Sequence, residues 1–266
     1  MKKSLLFILV AVAMLPAFEA QAFKLKLKKD PKPRIDYTAW IASKDLPEET
    51  DGVRMFYPQT VGEDSITVIT GSLPVKGLTA EQVMLAAMVY AAENFDEEKQ
   101  ERFTSVNYPD KEFAVALSTT RGTNNKEATY SRLLTIKAVA GRLDFTVEDI
   151  DVRYRQKGII PRTVDVETLH PESDTRHEEL VIELSQVISE YLGKMAKYAV
   201  SRPDIKATHY DEMKDCSVVK EMNMDEVTIA KGPARDVRRS GERTRWIYDN
   251  EYVIIFTNGK VTKIVE

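Results

Sequence analysis

Apolar and polar positions change period several times along the chain, and each change marks an element. Residues 53–57 and 65–75 are rich in β-branched and aromatic side chains, the composition of strands. Thr79-Ala80-Glu81-Gln82 then places a hydroxyl and an amide three residues apart, where they satisfy the free N–H groups of a first helical turn. A helix is therefore predicted over residues 80–94. It is apolar nearly all round from residue 83 to 92, so most of it should be covered. Four strands are expected next, over residues 102–107, 112–118, 129–139 and 143–154, parted by turn-like stretches such as Tyr108-Pro109-Asp110 and Arg121-Gly122-Thr123. In the third, Tyr130, Leu134, Ile136 and Ala138 share one face. In the fourth, the apolar set moves from Leu143, Phe145 and Val147 to Ile150, Val152 and Tyr154. A phase change in a period-2 pattern needs an inserted residue, which predicts a bulge near Glu148-Asp149.

After an irregular stretch over residues 158–171, Thr175-Arg176-His177-Glu178 repeats the capping signature. The helix it opens carries Leu180, Leu184, Val187, Ile188, Tyr191, Met195 and Tyr198, an amphipathic stripe. Burying these side chains is worth on the order of 10–20 kcal/mol before entropy, enough to dock the helix on a sheet. Residues 201–214 are polar and read as a linker to a second unit. There, Asn223-Met224-Asp225-Glu226 caps a short helix that stops at Gly232-Pro233. Short strands follow over residues 236–239, 244–248, 252–257 and 261–265, with turns at Ser240-Gly241, residues 249–250 and Asn258-Gly259. Asn258-Gly259 is the strongest hairpin signal, since both residues tolerate the positive φ of a type I′ turn. The fold class expected is α+β: an antiparallel sheet with two helices on one face, then a small helix with a three- to four-stranded antiparallel sheet.

The first residues add a location. Lys2 and Lys3 precede an apolar run of 11 residues, and Ala20-Gln21-Ala22 is the small-x-small pattern at which a signal segment is cut. A membrane-spanning helix needs about 20 residues, so residues 1–22 read as a cleavable export signal and Phe23 as the mature start. No cysteine lies near the cut to carry a lipid. The expected location is the periplasm. Residues 23–52 form a basic leader or linker, with Pro31 and Pro33 among lysines; a weak contact with acidic lipid headgroups is its functional reading. Cleavage moves the formal charge from −4 to −5, which argues against a nucleic-acid partner. Cys216, the sole cysteine, forms no internal disulfide.

Two stretches resemble known families. With Gly77-Leu78-Thr79 opening a helix that closes on Asn94-Phe95, and Gly141-Arg142-Leu143-Asp144-Phe145 leading a late strand, residues 71–200 are similar to a domain of unknown function in exported bacterial proteins. That resemblance implies a fold like the TATA-binding protein repeat. From Met222 on, Met224-Asp225-Glu226-Val227, Lys231-Gly232-Pro233, Val237-Arg238-Arg239, Arg245-Trp246-Ile247-Tyr248 and Phe256-Thr257-Asn258-Gly259 resemble the BamE/SmpA outer-membrane lipoprotein family. This implies a small module for protein contacts, with no chemistry of its own. No lipidated cysteine precedes it, so a role in outer-membrane assembly does not carry over.

Chemical motifs are sparse. Walker, dinucleotide-binding and serine-hydrolase glycine patterns are absent. His170, His177 and His209 lack metal-ligand spacing, and His177 reads as an exposed helix residue. A pairing of Cys216 with His209 has no motif behind it. Glu148, Asp149 and Asp151 lack the glycine-centred spacing of a calcium loop and read as a solvated strand edge. The most suggestive cluster is Arg235, Arg238, Arg239, Arg243 and Arg245 beside Trp246 and Tyr248, side chains that anchor protein interfaces. The chain is thus expected to be a non-catalytic periplasmic binding or scaffold protein without cofactor, whose partner is another envelope protein. The alternatives are an exported enzyme with a site between the domains, and an enzyme inhibitor acting through the loop at residues 122–127.

Overall fold

The computed structural model describes residues 35–62, 66–96, 101–123, 126–155, 161–248 and 252–266. The expected signal segment, the basic leader up to residue 34 and the turn at residues 249–250 lie outside the described residues, as does part of the loop at 122–127. Residues 35–52, grouped above with the leader, hold an α-helix and a strand. Helix α1 (Tyr37–Ala42) is capped by Asp36, which accepts from the Ala39 N–H at 3.0 Å. It buries Tyr37 and Trp40, whose rings meet edge to face at 6.3 Å. Strands β1 (Glu49–Thr50) and β2 (Val53–Arg54) form a hairpin over Asp51 and Gly52, both at positive φ. The strand expected over residues 53–57 is cut short there, because the Phe56 N–H donates to the Ser189 hydroxyl at 3.0 Å instead of to a neighbouring strand.

Strands β3 (Gln59–Val61) and β4 (Ile66–Pro74) lead into helix α2 (Ala80–Glu93), where Thr79 and Gln82 form the predicted reciprocal cap. Val83 to Val89, Ala91 and Ala92 are all buried, as the all-round apolar sequence requires. An antiparallel meander follows: β5 (Arg102–Asn107), β6 (Glu112–Arg121), β7 (Ala128–Val139) and β8 (Arg142–Tyr154). The sheet order is β3-β4-β8-β7-β6-β5, with β9 (Arg162–Asp165) also on β8. Helix α2 therefore carries the chain across the sheet from β4 to β5 at the far edge.

The bulge falls where the phase change predicts. Ser131 opposes Asp151 and Leu133 opposes Glu148, so Asp149 and Ile150 together face Arg132. Asp149 takes up the extra residue at φ 50°. The bulge is also where β8 changes partner: it pairs with β4 up to Val147 and with β9 from Asp151 on.

Helix α3 (Thr175–Val200) lies beside α2 on the same face of the sheet. Its cap corrects the expectation: Asp174, not Thr175, accepts from the N–H groups of Arg176 at 2.8 Å and His177 at 3.4 Å. A carboxylate also answers the positive end of the helix dipole, so it outcompetes the hydroxyl one residue on. Leu180, Leu184, Val187, Ile188 and Met195 are buried along the predicted stripe. The polar stretch read as a linker contains α4 (Tyr210–Lys214) and buries Ile205 and Met213. Helix α5 (Met224–Lys231) carries the Asn223–Glu226 reciprocal cap, ends at Gly232 with φ 76°, and packs on α2. Strands β10 (Asp236–Ser240), β11 (Arg243–Ile247), β12 (Val253–Thr257) and β13 (Lys260–Val265) complete a four-stranded antiparallel sheet. Asn258 and Gly259 both have positive φ between β12 and β13, as a type I′ turn needs.

Candidate functional site

Strand register decides which of the arginines stand together. Arg238 is paired with Arg245, Arg245 with Ile255 and Ile255 with Lys263, while Arg243 is paired with Thr257 and Thr257 with Lys260. Directly opposed residues share a face, so Arg238, Arg243, Arg245, Lys260 and Lys263 lie on one side of the C-terminal sheet. Asp236 is the acid among them and accepts from Arg238 Nε at 2.8 Å. Arg239 is paired with Thr244 and lies on the opposite face. Trp246 lies there too, against Phe256 at 4.8 Å, on the side that buries Ile254, Phe256 and Val261. Tyr248 is half-buried and its hydroxyl donates to the Gly232 carbonyl at 3.3 Å. The two aromatics are therefore structural, and three of the arginines keep the solvent face without them. Arg235 lines a separate hollow of 640 Å³ with Phe95, Lys231 and Tyr252.

Two of the histidine rings are engaged. His177 is not the exposed residue expected: its Nδ1 accepts from the His170 N–H at 2.9 Å, and its Nε2 lies 2.8 Å from the Tyr154 hydroxyl. With Nδ1 accepting, the ring proton is on Nε2. His209 lies with Nδ1 3.0 Å from Glu226 Oε1. Cys216 is exposed. Asp149 sits at the bulge, and Asp151 faces Asp165 directly across β8 and β9. Partial burial, a hydrogen bond with Asp165 and the charges of Asp165, Asp149 and Glu167 push the Asp151 carboxyl above its ordinary range.

A second site is built from residues that carry no motif. Arg132 is on the inner face of β7 in the series Tyr130, Arg132, Leu134, Ile136, and is 4% exposed. Among the described residues its guanidinium makes three hydrogen bonds, all to neutral oxygens: Nη1 and Nη2 both reach Thr119 Oγ1 at 3.2 Å, and Nη1 donates to the Tyr130 carbonyl at 3.1 Å. Burial lowers the Arg132 pKa to about 10, against the raising influence of Tyr191 and Glu101, so it is cationic at neutral pH. Among the described residues no carboxylate oxygen comes within the 4.0 Å of an ion pair with it.

Arg132 opens on a cavity of 300 Å³ beneath α3, where α2 and α3 meet β6 and β7. Tyr90, Leu117, Val187 and Tyr191 form its apolar wall. The Tyr191 hydroxyl is buried and has no hydrogen-bond partner among the described residues. Burial pushes its pKa up, so it remains a donor. Glu101, also on the wall, is committed elsewhere: its oxygens accept from the N–H of Asp96 at 2.9 Å and of Ser118 at 2.7 Å. Lys194 and the Arg121–Glu190 ion pair stand at the rim.

Sequence reasoning reached the arginines of β10 and β11 and passed over Arg132. The signal was present: position 132 has the parity of Tyr130 and Leu134, so a long strand buries it unless the pattern breaks.

No family model matches the chain, and no curated protein does. Among solved structures it is similar to a TBP-like protein from Parabacteroides distasonis ATCC 8503, with TM-score 0.43 and 11% identity over 55% of this chain and 99% of that one. It is also similar to a DUF4468 family protein from Bacteroides ovatus ATCC 8483, with TM-score 0.40 and 10% identity over 55% of this chain and 93% of that one.

Proposed function

We propose that the chain is a non-catalytic exported protein of the bacterial envelope that holds an acidic partner protein on the solvent face of its C-terminal sheet. One observation carries the reading: Arg238, Arg243, Arg245, Lys260 and Lys263 share that face, among the described strand residues, with a single acid, Asp236, in a chain whose formal charge is −4. A basic patch on an acidic protein steers acidic partners to one place. Ile255 and Ile247 lie among these charges and are partly accessible, which favours a protein surface over a phosphate backbone. All five residues of β10 are exposed, and this edge strand offers unpaired N–H and C=O groups to an extended segment. The signal-like residues 1–22 support export, and the likeness of the C-terminal unit to BamE/SmpA modules supports a contact role.

The test is binding of a synthetic peptide of alternating Glu and Val to the purified chain, with duplex DNA and anionic vesicles as comparators. Peptide binding that weakens with salt, and is lost in the triple variant Arg238→Glu, Arg243→Glu, Arg245→Glu, supports the reading. Binding to DNA or vesicles alone, or equal peptide binding by the variant, overturns it.

A further inference from the structure

The geometry points to the cavity under α3 as a binding site for a small organic monocarboxylate, gripped by Arg132 and Tyr191. A guanidinium has five N–H groups. Thr119 and the Tyr130 carbonyl take both hydrogens of Nη1 and one of Nη2. What remains is Nε–H and the second Nη2–H, the adjacent parallel pair that matches the two oxygens of a carboxylate. The three existing bonds hold the planar group from its far end, so the free edge is oriented before any ligand arrives.

Charge sets the class of ligand. Among the described residues, Arg132 is a buried cation without a carboxylate in ion-pair contact, a costly arrangement unless an anion arrives. A monocarboxylate brings one negative charge to Arg132, and the carboxylates already on the lining, Glu101 and Asp96, disfavour a second. A dianionic phosphate would bring a second charge close to Glu101, which lines the same wall. The unpartnered Tyr191 hydroxyl supplies a third donor beside Arg132; the two are close enough for each to shift the other's titration. Tyr90, Leu117 and Val187 give the body of the ligand an apolar wall, and 300 Å³ is at the small end of ligand cavities.

This inference is independent of the basic face on the C-terminal sheet, and its test uses other residues and other probes. Hexanoate, benzoate and phenylacetate are titrated calorimetrically into the purified full chain, with benzamide and phenyl phosphate as comparators. At least one carboxylate is expected to bind about tenfold or more tightly than either comparator, the equivalent of about 1.4 kcal/mol. Arg132→Lys keeps the charge and loses the fork, and should weaken that carboxylate by about tenfold or more. Tyr191→Phe removes one hydroxyl from a helix residue and should weaken it about threefold to tenfold. Carboxylates that bind no better than benzamide, phenyl phosphate that binds more tightly than benzoate, or wild-type affinity in Tyr191→Phe would each overturn the assignment.

Discussion

Arg132 and Thr119 are joined across neighbouring strands, with both terminal nitrogens of the arginine 3.2 Å from the one hydroxyl. Thr119 is the diagonal neighbour of Arg132, since β6 and β7 pair Leu117 with Arg132 and Thr119 with Tyr130. Replacing Thr119 by the isosteric valine leaves a buried cation with one acceptor fewer. Thr119→Val should cost about 1–3 kcal/mol in urea denaturation, and added benzoate should recover part of the loss.

Glu226 ties α5 to the segment before α4. It is fully buried, and its oxygens accept from Thr208 N at 2.6 Å, His209 N at 3.0 Å and Asn223 N at 2.6 Å. Burial alone would raise its pKa, but these hydrogen bonds outweigh burial and hold the carboxyl below its ordinary value. A depressed carboxylate contributes stability in full above its unfolded pKa, about 4.3, and loses it as pH falls through the folded value. Glu226→Gln should therefore cost about 2–3 kcal/mol at pH 7. The difference from wild type should shrink below pH 4 in parallel denaturation series.

Gly71 is needed for space. A Cβ there would lie 2.6 Å from the Phe56 ring and 2.9 Å from that of Phe145, which meet edge to face at 4.8 Å. Gly71→Ala should destabilise by about 1–3 kcal/mol, and Phe56→Leu in the same chain should restore part of it.

Arg202 reaches both carboxylate oxygens of Asp225 at 2.6 Å and bonds the Tyr198 hydroxyl at 2.6 Å, linking the end of α3 to the first turn of α5. Both side chains are partly solvated. A double-mutant cycle to alanine should give a coupling of about 1 kcal/mol, reduced by salt.

Long periodic patterns were legible in the sequence. The capped apolar run of α2, the stripe of α3, the bulge at Asp149 and the Asn258-Gly259 turn each needed only local spacing and backbone stereochemistry. Three short elements were not: α1, β1 and β9 have too few residues to repeat an apolar pattern. At the start of α3, Thr175 and Glu178 mimic the capping pattern that Asp174 fulfils one residue earlier. For the arginines, alternation warned that the cluster would split, but only the register of β10 on β11 puts Arg239 on the face of Trp246, away from Arg238, Arg243 and Arg245. Arg132 was hidden by its type, since an arginine within a strand is normally read as solvated.

The central claim is that Arg132 is kept for a ligand and not for stability, and Arg132→Met tests it directly. The substitution fills similar space with an apolar chain and strands no buried carboxylate, since Glu101 keeps its two backbone donors. Urea denaturation in ligand-free buffer should find the variant within about 1 kcal/mol of wild type, or more stable, with no further gain from benzoate. A loss of about 3 kcal/mol or more would show that the arginine holds the fold together and would contradict the account.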